Sequence, residues 1–304
     1  MSLKLAPLIF VIFGSLMPSL TLAEVNILTS IRPLYYLVEG VNQGINTHNL
    51  LVADALSPHD YQPKPSDIQK IKSADIIFRI DAKFQPRLTK IIANNNRTAE
   101  VISVAQLKEI ALLPNETHLT GHETNGHGHS NNNFDLHIWL SPLNAIKISD
   151  NIALLLSKLD PKNREKYQYN AKQQAIHLKK LDLSLHKKLQ PLQGLDFFSY
   201  HDAYGYLTNR FNLNRSLAIT PTLNHQLSAK RIKDLIAIAQ QKDVNCLMLE
   251  PQFSTKYAKI ISNSRPNMRI GTWDLLGFEL ELKPNSFHIL LNNMADNLAS
   301  CLKP

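Results

Sequence analysis

One feature limits the possible folds more than any other: a long helical stretch set between two runs of alternating strand and helix patterns. From Leu143 to Leu189 the pattern is helical, broken only at Asp160-Pro161, where a second helix can begin with proline in its first turn. Pro161 to Leu189 would span about 43 Å at 1.5 Å per residue, enough to run across two lobes. Along it Tyr169, Ile176, Leu183 and Leu189 keep rough helical phase among many Lys and Gln, and they read as its apolar side.

On the N-terminal side, short β-type runs fall at Val25–Ser30, Leu50–Val52, Asp75–Ile80 and Val101–Val104, with helical stretches between them. On the C-terminal side, runs at Asp196–Tyr200, Leu217–Thr220, Asn245–Leu249 and Arg269–Thr272 alternate with helices, and Ser286–Leu302 closes the chain. Strands alternating with helices indicate βαβ units and parallel sheets. The expected fold is therefore α/β: two lobes, each with a central parallel β-sheet flanked by helices, joined by a long rigid backbone helix. The 304 residues suit two domains. The expected divisions are 24–160 for the N-terminal lobe, 161–190 for the linking helix and 191–304 for the C-terminal lobe. No residue-level repeat relates the two halves.

Residues 1–23 read differently. Lys4 precedes an apolar run, and Thr21-Leu22-Ala23 ends in a small residue, the pattern of a secretory signal peptide cleaved after Ala23. Pro7, Gly14 and Pro18 break the segment as a membrane-spanning helix. Export implies an oxidising compartment, the periplasm, where Cys246 and Cys301, the only two cysteines, are expected to join. Apolar residues at 44% and charged residues at 19% exclude wholesale disorder. The net charge of +8 allows nucleic-acid contact, but lysines and arginines are dispersed without an aromatic-interleaved stripe, so no nucleic-acid partner is expected.

Histidine is the unusual count, 12 against 10 glycines. His118, His122, His127 and His129 fall in residues 118–133, HLTGHETNGHGHSNNN, which reads as a mobile surface loop able to capture metal weakly. His59, His137 and His201 each follow an apolar or β-type run, where a strand gives way to a loop. Ligands in open α/β sheets bind near strand carboxyl ends, so a single site between the lobes could use all three. Three imidazoles suit zinc. Spacing alone is weak support, because a lone His beside Asp is more often structural, and no H-x-x-x-H or C-x-x-C pair fixes local geometry.

The surrounding motifs add to this. Ser57-Pro58-His59-Asp60-Tyr61 with Pro65-Ser66-Asp67, His137-Ile138-Trp139-Leu140-Ser141-Pro142, and His201-Asp202-Ala203-Tyr204-Gly205-Tyr206 resemble, in order, the three metal-ligand motifs of the cluster A-I metal-binding proteins of ABC importers. Glu250-Pro251-Gln252-Phe253 and Gly271-Thr272-Trp273-Asp274 resemble two later motifs, so the likeness covers most of the mature chain. The resemblance implies a periplasmic receptor that takes Zn²⁺ on His59, His137 and His201, with Asp274 at the position that gives a fourth ligand in several relatives. In manganese-type relatives the third position is a carboxylate, and here it is His201, which favours zinc. The family's Gly-x-Glu segment after the third strand is replaced by Asp81-Ala82-Lys83-Phe84. Asp60 and Asp202 adjoin ligands and are candidates to orient them.

The implied partners are an inner-membrane ABC permease for zinc and a periplasmic zinc chaperone, with the chain itself a monomer and not an enzyme. Two alternatives compete: a manganese- or iron-binding relative, and an exported zinc hydrolase, since three His with an open position also describe catalytic zinc. A hydrolase needs a general base near the metal, and no Glu adjoins the three His in sequence.

Overall fold

In the computed structural model residues 24–53, 57–59, 61–115, 134–220 and 227–303 are described. The expected signal peptide, Asp60 and the four histidines of residues 118–133 lie outside them. The first half runs β1 (Ile27–Ile31), α1 (Arg32–Asn42), β2 (His48–Val52), α2 (Pro65–Ser73), β3 (Ile76–Arg79), α3 (Pro86–Asn95) and β4 (Glu100–Ser103). Its strands form one parallel sheet in the order β2-β1-β3-β4. β1 is buried along its whole length, as a central strand covered on both faces must be. Proline in the first turn starts α1, α2 and α3, where its missing N–H costs nothing.

Two long helices follow, α4 (Pro142–Leu159) and α5 (Arg164–Leu189). The Ser141 hydroxyl caps α4 by accepting from the Asn144 N–H at 3.2 Å. The second half runs β5 (Phe198–His201), α6 (Gly205–Arg210), β6 (Leu217–Thr220), α7 (Ala229–Gln241), β7 (Cys246–Leu249), α8 (Lys256–Asn263), β8 (Arg269–Thr272) and α9 (Ser286–Leu302). Its sheet, also parallel, has the order β6-β5-β7-β8. The two halves thus repeat one topology that leaves no repeat in the residues.

The expected apolar side of α5 is corrected. Tyr169, Ile176 and Leu183 are 63%, 45% and 64% exposed; of that line only Leu189 is buried. The buried face is Tyr167, Asn170, Ala171, Gln174, Leu178, Leu181, Asp182, Leu185 and Leu189. Its polar members are spent on specific partners. Asn170 donates to the Val41 carbonyl at 2.9 Å, Gln174 to Leu37 at 3.4 Å, and the Asp182 carboxylate accepts from both Arg210 Nε and Nη2.

A single apolar core runs through both halves, from Leu37 and Phe78 through Trp139, Ile148 and Leu178 to Trp273, Phe287 and Leu291. The second sheet divides its faces by strand parity. Phe197, Cys246 and Met248 belong to this shared core. Phe198 and Leu247 instead join a smaller cluster with Leu235, Ala239, Ala258 and Ile261 of α7 and α8. Cys246 and Cys301 form the expected disulfide, S–S 2.05 Å, tying β7 to α9.

Three hydrogen bonds hold the segment after β8 against the first half. The Tyr36 hydroxyl donates to the Gly277 carbonyl at 2.9 Å, Arg32 Nη1 to Leu280 at 3.0 Å and Trp139 Nε1 to Leu275 at 3.0 Å. Gly277 has φ +70°, and a Cβ there would lie 3.1 Å from the Tyr36 hydroxyl, so only glycine fits that approach.

Candidate metal centre

β5 pairs with β7 in the register Phe198↔Leu247 and Ser199↔Met248. Continued two residues past Ser199, this register sets His201, the last residue of β5, level with Glu250. His201 Nδ1 lies 2.6 Å from Glu250 Oε1, and the glutamate side chain is fully buried. A carboxylate in this role only accepts, so Nδ1 carries the proton and Nε2 presents its lone pair.

His137 is fixed differently. It does not end a strand, as expected; it precedes a single 3₁₀ turn, Ile138–Leu140, that leads into α4. Asp135 Oδ1 accepts from the His137 backbone N–H at 2.9 Å and lies 2.8 Å from its Nδ1. One carboxylate oxygen therefore fixes both the turn and the ring, and again leaves Nε2 as the lone-pair nitrogen.

His59 packs its ring against Phe84, centroids 4.3 Å apart, and hydrogen-bonds the Phe84 backbone. Burial, and then the neighbouring imidazoles of His137 and His201, push its pKa down to about 3. It is held neutral, the form that binds metal.

The three imidazoles converge, with one ring nitrogen of each within 4.8 Å of the others. The Nε2 atoms of His137 and His201 are buried and have no hydrogen-bond partner among the described residues. Buried polar nitrogens without partners are costly in a native protein, and lone pairs aimed at a common point are what a metal ion satisfies. The donor set of three neutral imidazoles suits zinc and the later first-row ions. A small cavity of about 10 Å³ lies at the meeting point, walled by Ser57, Pro58, Phe84, Phe253, Leu275 and Leu276 besides Gln252 and the histidines. That is room for about one water-sized body.

Asp274 is not among the converging groups of the described residues. Its two oxygens accept from the backbone N–H groups of Leu276, Gly277 and Phe278 at 3.1, 2.8 and 2.6 Å. Burial raises its pKa, and these bonds pull the other way. Asp202 pairs with Arg215 at 2.7 Å, not with a histidine. The residues that orient the imidazoles, Asp135 and Glu250, had been given no such role from the sequence. Asp135 was detectable as an Asp-x-His turn, whereas Glu250 becomes visible only through strand pairing.

Residues 27–301 match the family model of ZnuA, the periplasmic component A of a zinc-uptake complex. The chain belongs to that family. It is 30% identical to the high-affinity zinc uptake system protein ZnuA of Yersinia pestis over 304 residues, covering 93% of this chain and 92% of that one. The ZnuA of Brucella abortus is also 30% identical, with 91% of each chain covered. A crystal structure of ZnuA superposes with TM-score 0.79 at 26% identity, over 92% of this chain and all of the other. A ZnuA deletion mutant with zinc bound gives 0.78 at 26%, covering 93% and 99%. The fold extends to FpvC of Pseudomonas aeruginosa in complex with Mn²⁺, with TM-score 0.78 at 21% identity over 92% and 99% of the two chains.

Proposed function

We propose that this family member captures Zn²⁺ in the periplasm on His59, His137 and His201 and hands it to an ABC permease of the inner membrane. The observation that carries the reading is the pair of buried, partnerless Nε2 atoms turned toward His59 by carboxylates that lock each ring's tautomer. The names of the relatives support zinc. So does the absence of a carboxylate from the converging set among the described residues, since hard oxygen donors suit Mn²⁺ better.

A hydrolytic role has less support. The cavity takes about one water-sized body, and Glu250, the carboxylate that does approach, already holds His201 and Gln252. The chain acts as a monomer, residues 1–23 direct its export, and the histidines of residues 118–133 collect zinc weakly for the main site. A periplasmic chaperone would exchange zinc with the same site. The division into 24–160, 161–190 and 191–304 describes the working parts.

The test is metal analysis of protein purified without chelator, followed by competition titration of Zn²⁺ against Mn²⁺. One tightly held zinc per chain, not displaced by equimolar Mn²⁺, is expected. Equal affinity for the two ions would reassign the cargo.

A further inference from the structure

The cavity contains another buried atom without a partner among the described residues, Oε1 of Gln252. Its direction is fixed. Gln252 Nε2 donates to Glu250 Oε2 at 3.0 Å, and because the carboxylate only accepts, the amide nitrogen must face it. The amide oxygen is turned away from Glu250. Glu250 therefore orients two groups of the same cavity, the imidazole of His201 through Oε1 and the amide of Gln252 through Oε2.

Three imidazoles leave one position of a tetrahedral zinc ion to be filled. Asp274 is engaged by three backbone N–H groups. Ser57 Oγ also lines the cavity without a partner among the described residues, but no hydrogen bond from a described residue aims its hydroxyl. We infer that Gln252 serves the fourth coordination position, its Oε1 meeting the ion directly or through one water. This rests on the three-imidazole reading above.

The chemistry of such a closure differs from that of a carboxylate. An amide oxygen is neutral, so the ion keeps its full charge against the donor set. It also cannot take up a proton, so it supplies no general base to a water held there. Asp135 and Glu250 remain one bond removed, orienting imidazoles. Gln252 in this position would add no base beside the ion.

The experiment uses the full mature chain with Zn²⁺ as the probe. Competition titrations are run on Gln252→Met, Ser57→Ala and His201→Ala, with circular dichroism confirming the fold. Gln252→Met should bind about ten-fold or more weakly, in the range seen when groups around a metal's ligands are removed, and Ser57→Ala should weaken binding less than Gln252→Met does. A crystal structure of the zinc-loaded wild type should place Oε1 about 2.1 Å from the ion, or in hydrogen-bond range of a water on it; the two cases separate direct from bridged contact. Wild-type affinity in Gln252→Met, or the Asp274 carboxylate on the ion, overturns the inference. Wild-type affinity in His201→Ala would instead overturn the three-imidazole reading, so the two failures are distinguishable.

Discussion

His201 Nδ1 and Glu250 Oε1 stand 2.6 Å apart at the carboxyl ends of adjacent parallel strands. The glutamate has no contact with solvent through its side chain. Its work is therefore orientation: it holds the imidazole so that Nε2 faces the other two histidines. Replacing Glu250 by Leu should leave His201 free to turn and weaken zinc binding by about 10- to 100-fold. Calorimetric titration against wild type would measure this, and unchanged affinity would show that the imidazole is held by other contacts.

Metal-free protein should lose stability as pH falls from about 6.5 toward 4.5. Burial lowers the pKa of His48, His59 and His288, with the His137 and His201 imidazoles adding to the effect on His59 and that of His177 on His288. Glu39 opposes the shift at His48. Because the folded values lie below the unfolded one, the unfolded chain binds more protons in this window. The contribution is complete above about 6.5 and declines as pH drops toward the folded values. Urea midpoints of chelator-treated protein at pH 7.5 and 5.0 provide the check; an equal or higher midpoint at pH 5.0 would contradict the assignment.

The corrected face of α5 predicts a contrast between two neighbours. Leu178 is fully buried and Ile176 is 45% exposed. Leu178→Ala should cost about 2–5 kcal/mol, while Ile176→Ala should stay within roughly 0.5 kcal/mol of wild type. Denaturant unfolding of both variants separates the two faces.

Replacing Cys246 and Cys301 together by Ser should lower stability by about 4 kcal/mol, given the separation of 55 residues between them. Zinc stoichiometry should stay at one per chain. A double variant as stable as wild type in urea would mean that the tie between β7 and α9 is redundant.

The strands were legible because a parallel strand covered on both faces must be almost continuously apolar, as Ile76, Ile77 and Phe78 are. The three histidines were legible through their flanking motifs. The face of α5 was not, because it buries Asn170, Gln174 and Asp182, whose burial depends on partners distant in sequence. Hydropathy counts these residues as exposed, so they interrupt the line of Tyr167, Ala171, Leu178, Leu181 and Leu185 that the helix buries. Glu250 was hidden for a related reason: it lies 49 residues from His201 in the chain, and only the pairing of β5 with β7 brings them together.

The alternation of the second sheet between two cores has a consequence for how the protein can fluctuate and diverge. His201 and Glu250 share the strand parity of Phe197, Cys246 and Met248, which face the shared core. The helices α7 and α8 rest on the opposite parity, over the small cluster of Phe198, Leu247 and Leu235. Opening of that outer layer is the least costly partial unfolding of this half, since it exposes the smaller of the two clusters. Such an opening leaves the ligand-bearing side of β5 and β7 supported from below. Sequence drift and transient breathing in α7 and α8 can therefore proceed without disturbing the three imidazoles, whereas the same changes in α9 would disturb the floor on which they stand.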